Sequence, residues 1–269
     1  MKIVFFLAAS FLTGMRLFAQ PCDPVVNLKD WTAHVVSFAP DETPDILNVD
    51  VLDSNTIWAT TFALNFLRST DGGCTLQKGV FNDALDPEFV YSSQILARDS
   101  MTAWIPLYDD TDYKSHLYKT VDGGQTWTDM LTTEYSGEDS YLDNIYFFNA
   151  SEGILLGDVV DDYYEIYTTT NNGDTWTRVP QQNFPPLLAG ENAFSANVFA
   201  VIGDTVWVPT KRGGRIFRST DKGHHWDVFG PPPVTTLSKA AIEFRDALHG
   251  LYTSEAQGAW KTADGGATW

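Results

Sequence analysis

Thr120-Val-Asp-Gly-Gly-Gln-Thr-Trp127 sets the architecture of this chain, because near-copies of it recur along almost the whole sequence. Ser69 to Leu76 reads STDGGCTL, Thr169 to Trp176 reads TTNNGDTW, Ser219 to Trp226 reads STDKGHHW, and Thr262 to Trp269 reads TADGGATW. The acid or amide of successive copies, Asp71, Asp122, Asn171, Asp221 and Asp264, is spaced by 51, 49, 50 and 43 residues. A period of that size carried by one turn sequence marks a repeat protein. In such a turn a short acidic side chain accepts hydrogen bonds from nearby backbone amides, and the following glycine supplies positive φ. Gly73, Gly124, Gly173, Gly223 and Gly266 hold the glycine place. Trp127, Trp176, Trp226 and Trp269 follow three residues later, where a large ring can begin the next strand and pin the hairpin to its sheet. The first copy departs only there, with Leu76.

Each repeat divides into the same four short strands, A to D, with the repeated turn between C and D. In the third, the expected strands are Asn144 to Phe148, Gly153 to Asp158, Glu165 to Thr169 and Trp176 to Val179. The fifth follows it, with Ala241 to Phe244, Gly250 to Thr253 and Ala259 to Thr262. Ile46 to Val51 with Thr56 to Thr61, Ser92 to Ala97 with Thr102 to Leu107, and Ala196 to Val201 with Thr205 to Pro209 fill the A and B places of the others. Four antiparallel strands in roughly 45 to 50 residues match one blade of an all-β β-propeller. Lys29-Asp30-Trp31-Thr32 reads as a strand D without a turn before it, while the last turn ends at Trp269. Either Trp31 completes the fifth blade, or the sequence is a piece of a ring of roughly six to eight blades, the reading favoured here.

The pattern S/T-x-D-x-G-x-T-W resembles the Asp-box, or BNR repeat, of sialidases, sortilin-type receptors, certain endoglucanases and photosystem II assembly factors. The resemblance covers nearly the whole chain and speaks for the fold far more than for one activity. It implies that the turn residues are structural. Sialidases of this class carry an arginine triad, a tyrosine nucleophile paired with a glutamate, and an aspartate acid/base. Here the nearest match to their R-I-P motif is Arg215-Ile216-Phe217, which lacks the proline, and Arg68 is the only arginine between Met1–Gln20 and Asp71. The triad therefore does not assemble in the expected order. Assembly factors imply a basic patch, for which Lys211, Arg212 and Arg215 are too few.

Met1 to Gln20 has Lys2, an apolar run from Ile3 to Leu12 and a small residue at Ala19, the pattern of a secretory signal peptide. An uncleaved anchor is the alternative, although the run is too short to span a bilayer. Without Lys2 and Arg16 the formal charge moves from −18 to −20. So acidic a chain is poorly suited to nucleic acid or anionic membranes. A secreted or cell-surface protein is the expectation, with no membrane insertion of the mature chain. Export also favours a disulfide between the only cysteines, Cys22 and Cys74, the alternative being two unpaired thiols.

Propellers bind through the loops joining B to C and D to the next A. Asp109, Asp110, Asp112 and Tyr113 occupy the second B-to-C hairpin, and Asp158, Asp161, Asp162, Tyr163 and Tyr164 the third. Glu134, Glu138, Asp139, Tyr141 and Asp143 lie between them. Carboxylates beside aromatics suit a cationic or sugar ligand, and Ca²⁺ is the ion that their oxygens would suit, although no cofactor is expected. Asp109 and Asp158 are the carboxylate pair to consider for glycoside hydrolysis. His34, His116, His224, His225 and His249 are scattered and read as surface or packing residues. The leading expectation is a non-enzymatic binder of a protein or glycan; a glycoside hydrolase and a photosystem II assembly factor-like protein are the alternatives.

Overall fold

The computed structural model describes residues 2–7, 26–28, 31–36, 45–61, 64–82, 84–86, 88, 90–131, 140–191, 198–210, 215–229, 240–254 and 258–269. The fold is a β-propeller of antiparallel blades in the A-to-D order. Blade 1 is Ile46–Val51, Ile57–Thr61, Asn65–Ser69 and Gln77–Val80. Blade 2 has strand A in two pieces, Val90–Ser92 and Leu96–Ala97, followed by Ala103–Asp109, Lys114–Thr120 and Thr128–Asp129. Blade 3 is Leu142–Phe147, Gly153–Val160, Tyr163–Thr169 and Thr177–Arg178. Blade 4 is Ala200–Ile202, Thr205–Pro209, Ile216–Ser219 and Asp227–Phe229. Blade 5 shows three strands among the described residues, Ala240–Phe244, Gly250–Ser254 and Gly258–Thr262. Strand A of blades 1 and 3 and all strands of blade 5 fall within two residues of their expected bounds. Strands B and C of blade 3 each run two residues further, to Val160 and Tyr163, because the hairpin tip takes only two residues.

Trp31 is not an orphan fourth strand. Trp31–Val36 pairs antiparallel with Val26–Leu28 and in parallel with Lys2–Leu7, a three-stranded sheet that includes part of the leader-like segment. Among the described residues no helix is long and apolar enough to cross a membrane.

The repeated turns close on themselves by one hydrogen-bond scheme. The Ser or Thr hydroxyl two residues before the acid donates to its Oδ1, at 2.8 Å for Ser69 to Asp71 and for Thr120 to Asp122, and at 2.7 Å for Thr262 to Asp264. That same hydroxyl accepts the glycine N–H, at 2.8 Å for Gly73 and 2.9 Å for Gly124. Four residues beyond the acid, Thr75, Thr126 and Thr268 each donate a hydroxyl to Oδ2 at 2.6 Å. In blade 4 His225 Nδ1 takes that part, 2.7 Å from Asp221 Oδ2. Blade 3 does it with an amide, Asn171 Nδ2 donating to Thr175 Oγ1 at 3.0 Å.

The residue after the acid has positive φ and donates its N–H into the A-to-B turn of the same blade. Gly72 reaches Asn55 O, Gly123 Met101 O, Asn172 Ser151 O, Lys222 Asp204 O and Gly265 Leu248 O, all at 2.9 Å. The glycine one place further serves packing as well. A Cβ on Gly124 would stand 2.3 Å from Phe66 Cζ of blade 1, and one on Gly223 2.3 Å from Ile154 Cδ1 of blade 3. Glycine is thus required twice over, by φ and by the neighbouring blade's core residue.

Two compact units make up the chain: Met1–Ile105 with Leu117–Asp129, and Pro106–His116 with Met130–Trp269. In the first, Trp127 lies just before strand D rather than in it, and it packs on the preceding blade's Phe66 at 5.4 Å and Trp58 at 6.2 Å. In the second, Trp176 and Trp269 pin their own blades, against Phe147 and Phe244 respectively, each at 6.0 Å. Its core joins Ile154, Tyr164 and Ile166 of blade 3 to Val206, Phe217 and Trp226 of blade 4. Burial of such side chains contributes about 1.5–3 kcal/mol each.

Candidate functional site: the acidic hairpins of the second unit

Both B-to-C hairpins singled out by their acids belong to the second unit. In the blade 3 hairpin Val160 pairs with Tyr163, and Asp161 and Asp162 between them have φ of 57° and 66°. Two positive-φ residues make a type I′ turn, a conformation that aspartate tolerates and that matches strand twist. Both are exposed. Arg178 of strand D folds back onto this tip, donating to Val160 O at 2.9 Å and to Asp161 Oδ2 at 3.4 Å, with its guanidinium 4.1 Å from the Tyr163 ring centre.

The blade 2 hairpin ends in Asp109 to Lys114. Asp112 and Tyr113 are exposed and Asp110 half-buried, while Asp109 is only 2% exposed. Asp109 Oδ1 accepts the Thr111 N–H at 2.7 Å and the Thr111 hydroxyl at 2.6 Å. At the base of the hairpin, Ser115 Oγ donates to Ser140 O at 2.8 Å and accepts the Leu142 N–H at 3.0 Å. Tyr108 stacks on Tyr141 at 4.0 Å, and the Tyr141 carbonyl accepts the Asp158 N–H at 3.2 Å. The two hairpins are therefore fastened to one another through Tyr141.

Behind the tips lies a buried polar cluster. Register shifts in blade 3 fall between Leu142 and Asn144 and between Leu156 and Val159, at Asp143 and Asp158. Bulges of this kind re-aim side chains, and both carboxylates are buried, 4% and 9% exposed. Gly157 is the residue that permits the second, since a Cβ there would stand 2.9 Å from Glu165 O. Glu191, from the connection between blades 3 and 4, is likewise buried and forms an ion pair with Arg215, whose Nε donates to Oε1 at 3.0 Å and whose Nη2 donates to Oε2. Glu191 Oε2 also accepts the Leu188 N–H at 3.0 Å, and Arg215 Nη2 donates to Pro186 O at 2.9 Å.

Tyr164 is corrected from a tip residue to a core residue. It is fully buried, with its ring edge-on to Phe217 at 5.1 Å, because the strand begins at Tyr163 and alternation turns Tyr164 inward. Burial pushes its hydroxyl well above the ordinary tyrosine range, and the Glu191 and Asp158 charges push it further. It stays a protonated phenol and is no phenolate nucleophile. Arg215 belongs to this buried structure rather than to a basic surface. Lys211, Arg212, Glu134, Glu138, Asp139 and Cys22 lie outside the described residues. Cys74 is disulfide-bonded.

Two groups escaped the sequence reading. Glu191 had no motif to mark it. His116, taken as a scattered residue, has Nε2 3.3 Å from Asp112 Oδ2, and the donor atoms of Asp109, Asp112 and His116 all lie within 4.8 Å of one another.

No family model matches the chain, and no curated protein matches it. Among solved structures, YCF48 from Cyanidioschyzon merolae is similar at 15% identity, covering 85% of this chain and 86% of that one with a TM-score of 0.50. The chain shares its fold. A structure described as YCF48 bound to D1 peptide is similar at 17% identity over 84% of this chain and 81% of that one, with a TM-score of 0.41. At such identities the likeness extends to the propeller and no further.

Proposed function

We propose that this chain is a secreted or cell-surface, non-enzymatic β-propeller of the Asp-box class that binds a protein or glycan through its B-to-C and D-to-A loops. The observation that carries the reading is the pair of acidic hairpins, fastened together through Tyr141 and presenting Asp110, Asp112, Tyr113, Asp161 and Asp162 outward in fixed turns. Such preorganised carboxylates beside an exposed tyrosine favour a ligand with cationic or hydrogen-bond-donating groups. The leader-like Met1 to Gln20 supports export.

The glycoside hydrolase alternative is weaker. Its tyrosine candidate is a buried, protonated phenol, Arg215 is neutralised by Glu191, and the Asp109 carboxylate is held by Thr111. The assembly-factor alternative needs a contiguous arginine surface, and the described arginine of the blade 4 hairpin is paired. The test is binding of the intact protein to immobilised glycan and cationic-peptide arrays, followed by titration of each hit. Replacing Asp110, Asp161 and Asp162 together by Asn is expected to weaken binding about tenfold or more and to reduce its salt dependence. Hydrolysis of an array glycan, or unchanged affinity in the triple variant, overturns the reading.

A further inference from the structure

We propose that the outward faces of blades 1 and 5 are the two halves of one blade-to-blade interface, through which a second copy of this chain docks head to tail. This goes beyond the ligand-binding reading, because it uses sheet faces rather than loops.

The contact between successive blades repeats by register. On strand B, one residue beyond the partner of the turn's Ser or Thr, stand Trp58, Ile154 and Trp207, all buried. Each is held against the blade that follows. Trp58 Nε1 donates to Asp99 O of blade 2 at 3.0 Å. Ile154 Cδ1 fills the space that a Cβ on Gly223 of blade 4 would take. Trp207 stacks on Phe244 of blade 5 at 3.7 Å and donates to Gly265 O at 2.8 Å. The receiving side is strand A, where Ile242 and Phe244 of blade 5 are buried, as is Ile145 at the same register in blade 3.

Each half recurs uncovered. Val49 and Val51 of blade 1 take the register places of Ile242 and Phe244, yet they are 48% and 58% exposed, with Leu47 also exposed beside them. Leu251 of blade 5 takes the place of Trp207 and is 49% exposed. Apolar side chains gathered on an exposed face mark a contact surface. A basic residue of strand C accompanies the strand B residue: Arg68 pairs with Trp58, Arg218 with Trp207 and Lys261 with Leu251. Arg218 Nη1 donates to Gly265 O of the following blade at 3.0 Å, whereas Lys261 is exposed.

The occupant follows from the repeated contact. What fits Val49 and Val51 is a strand B face carrying an apolar residue with a cation beside it, and blade 5 presents that face. A second copy supplies it and continues the contact already made between blades 4 and 5. Because each copy carries both halves, the contact is heterologous and adds copies end to end. Val51 in place of Phe244 and Leu251 in place of Trp207 bury less apolar area, which makes the association reversible.

The experiment is sedimentation velocity of the full-length chain from about 1 to 200 µM, a range that brackets reversible contacts. Expected are dimers and larger species that grow with concentration. Val51→Lys and Leu251→Lys each place a charge against an apolar partner and should weaken association about tenfold or more. Both positions are exposed, so the fold is retained. An equimolar mixture of the two variants should regain a dimer and stop there, because a single pairing of intact faces is left. Val121→Lys, 63% exposed in the blade 2 turn, should change nothing. A monomer throughout the range overturns the proposal, whether the faces are closed within one chain or covered by a different protein. So does wild-type association by Leu251→Lys, which would pair blade 1 with itself, or no recovery in the mixture. A loss with Val121→Lys as large as with the other two would mean non-specific adhesion and overturns it as well.

Discussion

At one end of each blade the C-to-D turn is held by residues no more than four positions apart: Thr120, Asp122, Gly124 and Thr126 satisfy one another, and four other copies do the same with small changes of donor. At the other end the hairpins share no sequence, and what holds them is long-range. Glu191 and Arg215 are 24 residues apart, Ser115 and Ser140 are 25 apart, and Tyr108 reaches Tyr141. The first end repeats because the hydrogen bonds that shape its turn are local to each copy. The second is free to vary in chemistry because its rigidity comes from partners supplied by neighbouring elements, which is where binding residues on a rigid scaffold belong.

The largest effect should come from the long-range end. Removing one member of a buried ion pair leaves an uncompensated charge and costs about 3–5 kcal/mol. Glu191→Ala and Arg215→Met are each expected to fall in that range by urea unfolding, and Glu191→Leu with Arg215→Met to cost less than either. If the single variants are no worse than the turn variants below, the hairpin end is not held by this pair.

At the repeated end the largest effect is expected from Gly124→Ala. It forces a side chain into φ of +87° and sets its Cβ 2.3 Å from Phe66 Cζ, so backbone strain and overpacking add to about 3 kcal/mol. Gly203→Ala is the control: its φ is +60°, but nothing lies within 4 Å of the added carbon, and about 1 kcal/mol is expected. Equal costs would show that the neighbouring blade yields to the new methyl group, and the double role of this glycine would fall.

The same contrast explains what the sequence disclosed. The turns were legible because the hydrogen bonds exchanged by the acid, the hydroxyl before it and the glycine join residues no more than four positions apart, which a motif can display. A second local device could have been read and was not: Asp53, Asp99, Asn149 and Asp246 each accept two backbone N–H groups in the A-to-B turns. At the hairpins the acids were legible as exposed charge, but their sorting was not. Whether Tyr164 points inward depends on a tip of two residues rather than a longer loop, and the alternation of Tyr164, Ile166 and Thr168 was the available sign. The turning of Asp143 and Asp158 rests on bulges, which leave no pattern in composition. His116 gained its partner Asp112 only once the hairpin placed the two opposite each other.

The smallest effect is also the one that separates charge from shape in the turn. The Thr126 hydroxyl and N–H, and then the Thr120 hydroxyl, hold the Asp122 carboxyl down at about 2. Its folded value lies below the unfolded value of 3.8, so the stability it contributes is present above that value and is lost as pH falls through about 2. Asn171 fills the same place in blade 3 with no ionisable group: its Oδ1 accepts the Thr175 N–H at 3.0 Å, as Asp122 Oδ1 accepts that of Thr126 at 2.9 Å. Asp122→Ala, which empties the turn, is expected to cost about 1–2 kcal/mol near neutral pH, and Asp122→Asn under about 1 kcal/mol. Urea midpoints between pH 5 and 2.5 should fall less steeply for Asp122→Asn than for the wild type, and more steeply for Asn171→Asp. Parallel slopes in all three would mean that the turn is held by shape alone and that its carboxylate is exchangeable with an amide in every blade.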